Sequence, residues 1–305
     1  MGISNLSLSG PVSLNGVRVD APVTGAEFYV DSNLGSDSRG GETPVDALAT
    51  LAAALDLCTA SKNDTVYLMP GHVESMGDAQ IAIDVVGVNV IGLGHGASRP
   101  RFDYDHANSS INMEANDCVL KNVTLRPSIT DVLIGVDVVA AVLNTLIEDV
   151  EAVPGEDGAG VDDFALVVDI KAGCTSTIVR RLKVRQHASG AGYIAGVRLT
   201  GASDDVLVEF CDIYILGAGV VAPINGITTL STSFRARYNT LMTDAEPGIE
   251  MLTNSTGILS NNHIFANLAN IDDAIVADIM ANFDNLYVEV GPEAGAGIGT
   301  LSIDD

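Results

Sequence analysis

One short apolar signature recurs along this chain, and it restricts the fold more tightly than any other feature. The copies are VNVIGL from Val88, LKNVTL from Leu120, IEDVEA from Ile147, VRRLKV from Val179, VEFCDI from Val208, ARYNTL from Ala236, LSNNHI from Leu259 and FDNLYV from Phe283. Their starts lie 32, 27, 32, 29, 28, 23 and 24 residues apart. The first and sixth positions are always apolar, the fourth is apolar except at Asn239 and Asn262, and the third is often polar, as a bend requires. Self-similarity at such a period marks a solenoid, in which each repeat buries its apolar face against its neighbours. A second signature precedes the first: Val136-x-Val138, Val168-x-Ile170, Val197-x-Leu199, Ile227-x-Thr229 and Ile249-x-Met251. Alternation in runs this short predicts strands with one face inward. Gly, Asn, Asp and Ser fill the gaps as turns. The pattern predicts an all-β chain folded as a right-handed single-stranded parallel β-helix, with about eight coils over residues 64–288.

The outward second position of the signature tests that alignment. It reads Lys121, Glu148, Arg180, Glu209, Arg237, then Ser260 and Asp284, and the fifth position reads Glu151, Lys183, Asp212. In a parallel in-register stack these side chains sit one strand spacing apart, where alternating sign attracts and like sign repels. A charge ladder is expected along one outer edge. Asn239 and Asn262 occupy equivalent bends and are expected to stack as structural asparagines. Val119, Leu146, Ile178, Leu207 and Ile258 precede the signatures; facing outward, they would suit packing between copies in a homotrimer.

The flanks differ from the stack. Residues 1–25 read as an extended arm, and residues after Val288 as an acidic Gly-rich tail over 289–305. Between arm and stack, residues 26–63 are expected to form a cap with an amphipathic helix beginning near Pro44. Val45, Leu48, Leu51, Leu55 and Cys58 would share its inner face, with Thr43 as N-cap. Such a helix would cover the open end of a solenoid.

Composition narrows the function classes. Forty acidic residues stand against fifteen basic ones, a net charge of −25, which disfavours nucleic acid as a partner. The most apolar stretch, from Val132 to Val150, is broken by Asp137, Asn144, Glu148 and Asp149, so no membrane span is expected. The first ten residues carry no secretory signal pattern. Four scattered cysteines read as buried free thiols. Trp is absent and aromatics make up 5%, which argues against a lectin-like platform.

Four segments carry a family resemblance: FYVDSNLGSD, PVDALATLAAAL, NDTVYLMPGH and VIGLGHGASRP. Over residues 28–100 the chain resembles the opening of pectate-lyase-like β-helix proteins encoded by tailed bacteriophages. More narrowly, ATLAAALDLCTASKNDTVYLMPGH resembles small phage β-helix proteins that accompany capsid components. The resemblance implies a non-enzymatic virion protein, made in the host cytoplasm. Its role would be capsid decoration on the head exterior, with the major capsid protein or other virion proteins as partners. The alternative it leaves open is a tailspike-type receptor-binding protein or a polysaccharide depolymerase, either lyase or glycosidase.

For an enzyme of that kind the candidate carboxylates are Asp204 and Asp205, with Asp163 (beside Asp162) one coil earlier and Glu209 and Arg237 nearby. Asp is also common in turns for backbone reasons. No metal site or cofactor is expected. Asp31–Asp37 lacks the closing Glu of a calcium loop, the five histidines form no ligand pair, and no helix pattern follows GLGHG at Gly92–Gly96. Arg180, Arg181, Lys183 and Arg185 form a basic cluster that reads either as a docking site for an acidic neighbour or as partners of the ladder.

Overall fold

The computed structural model describes residues 25–289 apart from 79, 131, 156–161, 186–194, 216–221, 227–229, 244–246, 267–274 and 278–279, together with strands at 12–14, 17–19 and 301–303. The chain is an all-β parallel solenoid with almost no helix. Three consecutive strands make one turn, each adding to a different sheet. Sheet 1 has ten strands, from Glu27–Val30 to Ala281–Phe283. Sheet 2 also has ten, from Val73–Ser75 to Leu286–Glu289, with Leu301–Ile303 joined antiparallel to the last. Sheet 3 has eight, from Gln80–Ile83 to Ile275–Val276. Val12–Leu14 and Val17–Val19 pair antiparallel with each other, apart from the stack.

Alternation along each strand builds the core. Leu120, Ile147, Val179, Val208, Ala236 and Leu259 stack in register inside sheet 1, and all are fully buried. Val136, Val168, Val197, Ile224 and Ile249 form the equivalent row inside sheet 3; Ile224 takes the place expected of Ile227, and Ile227-x-Thr229 lies outside the described residues. Each large aliphatic side chain contributes about 2 kcal/mol by leaving water. Phe102, Tyr104 and Phe164 fill the wider coils; Tyr104 and Phe164 meet edge to face at 4.9 Å, and the Tyr104 hydroxyl donates to the Gly135 carbonyl at 2.7 Å.

The corners explain the polar residues between strands. At the bend from sheet 1 to sheet 2, Asn122, Asp149, Arg181, Phe210, Tyr238, Asn261 and Asp284 all adopt left-handed backbone, with φ between 53° and 58°. At the turn from sheet 3 to sheet 1, Asp117, Asn144, Ser176, Asp205 and Ser233 do the same. Asn and Asp tolerate this region best, which is why they recur there. Behind the first bend the side chains point in, and Asn239, Asn262 and Asn285 form a buried stack. Asn239 Nδ2 donates to Asn262 Oδ1 at 2.9 Å, and Asn262 Nδ2 donates to Asn285 Oδ1 at 2.8 Å.

Two expectations need correction. The continuous helix from Pro44 is absent. Thr43 caps only a 3-10 turn over Pro44–Asp46, and Val45 is 89% exposed. Leu48 is then drawn into a bridge with Val30, exchanging backbone hydrogen bonds with Tyr29 and Asp31, and strand pairing overrides helical periodicity. Helix resumes for five residues, Leu51–Leu55, with Thr50 as N-cap and Leu51, Ala54 and Leu55 buried. Both end coils are also shifted from the sequence alignment: in the first, Val90 and not Val88 lies opposite Leu120, and the last is displaced by one residue. Phe283, not Asp284, lies opposite Ser260, and Asp284 takes the bend.

Candidate active site

The outward face of sheet 3 should alternate with the core and meet water. Its central row is instead polar, and four of its six residues are buried. In register order it runs Asn112, Asp137, Asp169, Arg198, Asn225, Glu250. Asp137 is 7% exposed and Asp169 3%. The two carboxylates lie on adjacent rungs, so their Cα atoms are about 4.8 Å apart. Val136 and Val138 beside Asp137, and Val168 and Ile170 beside Asp169, point into the core and fix this register.

The two environments differ. Asp137 Oδ2 is 2.7 Å from Lys171 Nζ, whereas Asp137 Oδ1 is buried and has no hydrogen-bond partner among the described residues. Asp169 Oδ1 accepts from the Thr200 hydroxyl at 2.8 Å. Burial raises Asp169 above the ordinary carboxylate value; the Thr200 hydrogen bond opposes the rise, the Asp137 charge adds to it, and Lys171 and Arg198 oppose it. Burial pulls Lys171 down, but its hydrogen bond to Asp137 and the charges of both aspartates outweigh this and hold it above the usual lysine value. Lys171 is therefore a fixed ammonium. Asp137 is suited to act as the ion-paired partner, and the raised proton affinity of Asp169 suits an acid. Neighbouring carboxylates in unlike environments are the arrangement that lets one act as acid and the other as base or nucleophile. Asp137 and Lys171 line a cavity of about 310 Å³ with Gln80, Ser110 and Leu133. Asn112 closes one end of the row; its amide donates to Gln80 and Glu114.

The carboxylates picked from sequence lie elsewhere. Asp204 and Asp205 sit in the turn from sheet 3 to sheet 1. Asp204 accepts from the Thr232 hydroxyl at 2.6 Å, and Asp205 pairs with Arg235 at 2.5 Å and accepts from Ser176 at 3.0 Å. Asp163 is buried just before strand Phe164–Ile170, its carbonyl accepting from Val132 N–H. Glu209 lies on the outer face of sheet 1, 2.8 Å from Arg237. It belongs to the register row Lys121, Glu148, Arg180, Glu209, Arg237. Within that row Glu148 binds Lys121 at 3.4 Å and Arg180 at 3.1 Å, and Arg181 closes on it from the bend. The basic cluster divides among faces: Arg180 joins sheet 1, Arg181 the bend, and Lys183 and Arg185 sheet 2. Sequence reasoning passes over Asp137 and Asp169 as site residues because each fills the polar position between two apolar core residues, Asp137 standing out only as a break in the apolar Val132–Val150 stretch. The signal was their shared place in the second signature, Val136-Asp-Val138 and Val168-Asp-Ile170. Among the described residues no group of three or more His, Cys, Asp or Glu side chains could hold a metal ion.

No protein-family model matches the chain, and no curated protein matches it. Solved structures do. A pectate lyase, Pel9A, superposes with a TM-score of 0.57 at 11% identity, over 90% of this chain and 78% of the other. A rhamnogalacturonan lyase gives 0.45 at 14% identity, covering 88% and 66%. A GH136 lacto-N-biosidase from Eubacterium ramulus gives 0.41 at 12%, covering 87% and 67%. At this identity the likeness to Pel9A is one of fold. It nevertheless overturns the expectation of a non-enzymatic chain: the matched architecture is that of an enzyme, and the fold gives no ground for excluding catalysis. Nothing in the fold or its neighbours supports a phage origin or a capsid-bound role.

Proposed function

We propose that the protein is a polysaccharide depolymerase that cleaves glycosidic bonds at the outer face of sheet 3. The observation that carries this reading is the buried pair Asp137 and Asp169 on adjacent rungs, one ion-paired and one with raised proton affinity. Asp169 donates a proton to the leaving glycosidic oxygen, and Asp137 attacks or stabilises the sugar centre from the neighbouring rung. Lys171 stays protonated and Arg198 is always charged, so neither is a ready base for elimination. This favours hydrolysis. Elimination is the second reading, favoured by the fold shared with a pectate lyase. Incubation of the purified chain with a panel of polysaccharides separates them. Hydrolysis releases reducing ends without new ultraviolet absorbance, and elimination releases unsaturated ends. Release of neither from any glycan would overturn the depolymerase reading.

A further inference from the structure

A second groove, on the outer face of sheet 2, differs in charge from the rest of the molecule. It has a volume of about 480 Å³ and is lined by Arg99, Arg101, Thr124, Arg126 and Glu151. Arg101 and Arg126 share one carboxylate. Asp103 lies 2.8 Å from Arg101 Nε, and it accepts from Arg126 Nε at 2.8 Å and from Arg126 Nη2 at 2.7 Å. Arg99 is 2.8 Å from Glu151, and its buried Nε has no hydrogen-bond partner among the described residues. Three guanidiniums thus face two carboxylates. One rung beyond Glu151, in register, stands Lys183, exposed and without an ion pair among the described residues. Arg185, two residues on, is balanced by Asp212 at 2.7 Å. Among the described residues, Arg99, Arg101, Arg126, Lys183 and Arg185 thus stand with Asp103, Glu151 and Asp212 on this face of a chain whose net charge is −25.

The half-buried arginine side chains, 12–32% exposed, are held in planar orientation by Asp103 and Glu151. A guanidinium fork fixed in this way is preorganised for a second carboxylate or a sulfate. A groove of this volume takes a small ligand or part of a polymer. Lys183 extends the positive charge along the stacking direction.

We infer that this groove binds the anionic groups of a glycan, the carboxylates of uronic acids or the sulfates of sulfated sugars. The sugar part of the inference rests on the depolymerase reading; the anion part rests on the arginines alone. The test is calorimetric titration at low salt of the Asp169→Asn full chain, so that no probe is consumed. The probes are trigalacturonate, a sulfated trisaccharide, neutral galactotriose and single-stranded DNA. The expected result is binding of at least one acidic trisaccharide at least about tenfold tighter than galactotriose, with Arg101→Gln/Arg126→Gln weakening it about tenfold or more. Lys183→Ala, at an exposed side chain that forms none of these ion pairs, should weaken it by a smaller factor and controls for misfolding of the double variant. The tighter of the two acidic sugars identifies the anion. Equal binding of the neutral trisaccharide, no binding of either acidic one, or tighter binding of DNA would overturn the inference. Acid-sugar binding by a chain that cleaves no glycan would instead count against the depolymerase reading and leave this groove standing.

Discussion

Asn262→Ala tests the asparagine stack. Asn262 is fully buried and makes four side-chain contacts. Its Nδ2 donates to the Ala236 carbonyl at 2.9 Å and to Asn285 Oδ1 at 2.8 Å, and its Oδ1 accepts from Asn239 Nδ2 at 2.9 Å and Asn239 N–H at 3.2 Å. Truncation removes all four. Each is worth about 1 kcal/mol net, and a donor or acceptor left buried without a partner costs about 1–3 kcal/mol. Asn239 Nδ2 keeps its bond to the Val208 carbonyl, and the Asn239 N–H, which donated to Asn262 Oδ1, is left buried without that acceptor. The expected loss is about 3–5 kcal/mol. Asn239→Ala should cost a comparable amount, and the two changes should not add, because both remove the Asn239 Nδ2–Asn262 Oδ1 bond. The assay is urea unfolding followed by circular dichroism, since the chain has no Trp. A fall in midpoint at constant slope reports stability alone. A loss below about 1 kcal/mol, or strict additivity with Asn239→Ala, would refute the view that the stack acts as one network.

Three other expectations follow from the same structure. Glu209→Lys would place three cations in succession with Arg180 and Arg237, and should cost about 2 kcal/mol at low salt and less at 1 M, read from melting curves at both ionic strengths. Burial pushes the Cys211 and Cys58 thiols up to about 12 and raises Cys118 and Cys174, so a thiol reagent at pH 8 should label the native chain negligibly and all four cysteines after unfolding. Asp169 binds its proton more tightly folded than unfolded. Its contribution to stability is therefore full below its ordinary value of 3.8 and is lost as pH rises through its raised folded value. Asp169→Asn should remove that pH dependence, as seen in melting temperatures across pH 3–7.

The repeat made the strands, their parallel stacking and the inward rows legible, because apolar periodicity is a local signal that packing enforces. The row from Lys121 to Arg237 was readable for the same reason: one register fixes every outward position. The Pro44 helix was misread because helical spacing from Val45 to Cys58 says nothing about Val30, whose unpaired edge takes Leu48. The final coil slipped because Phe283 resembles an inward residue, and with it Asn285 was missed as the third stacked asparagine. The site was hidden for another reason. Asp137 and Asp169 look like ordinary solvent-facing residues of half-buried strands, and only the assembled sheet makes them buried neighbours. Asp204 and Asp205 drew notice as adjacent acids, yet left-handed backbone at Asp205 explains its place in the turn ladder.

The central claim is that Asp137 and Asp169 form a working acid pair and are not merely part of a polar ladder. The direct measurement is cleavage rate and stability of Asp169→Asn side by side at pH 7, on whichever polysaccharide the wild type cleaves. The account predicts that the rate falls by about 10²–10⁴-fold while the melting temperature holds, because the amide keeps the shape of the carboxyl group but has no proton to donate to the leaving oxygen. A variant that melts earlier and cleaves as fast as the wild type would contradict it.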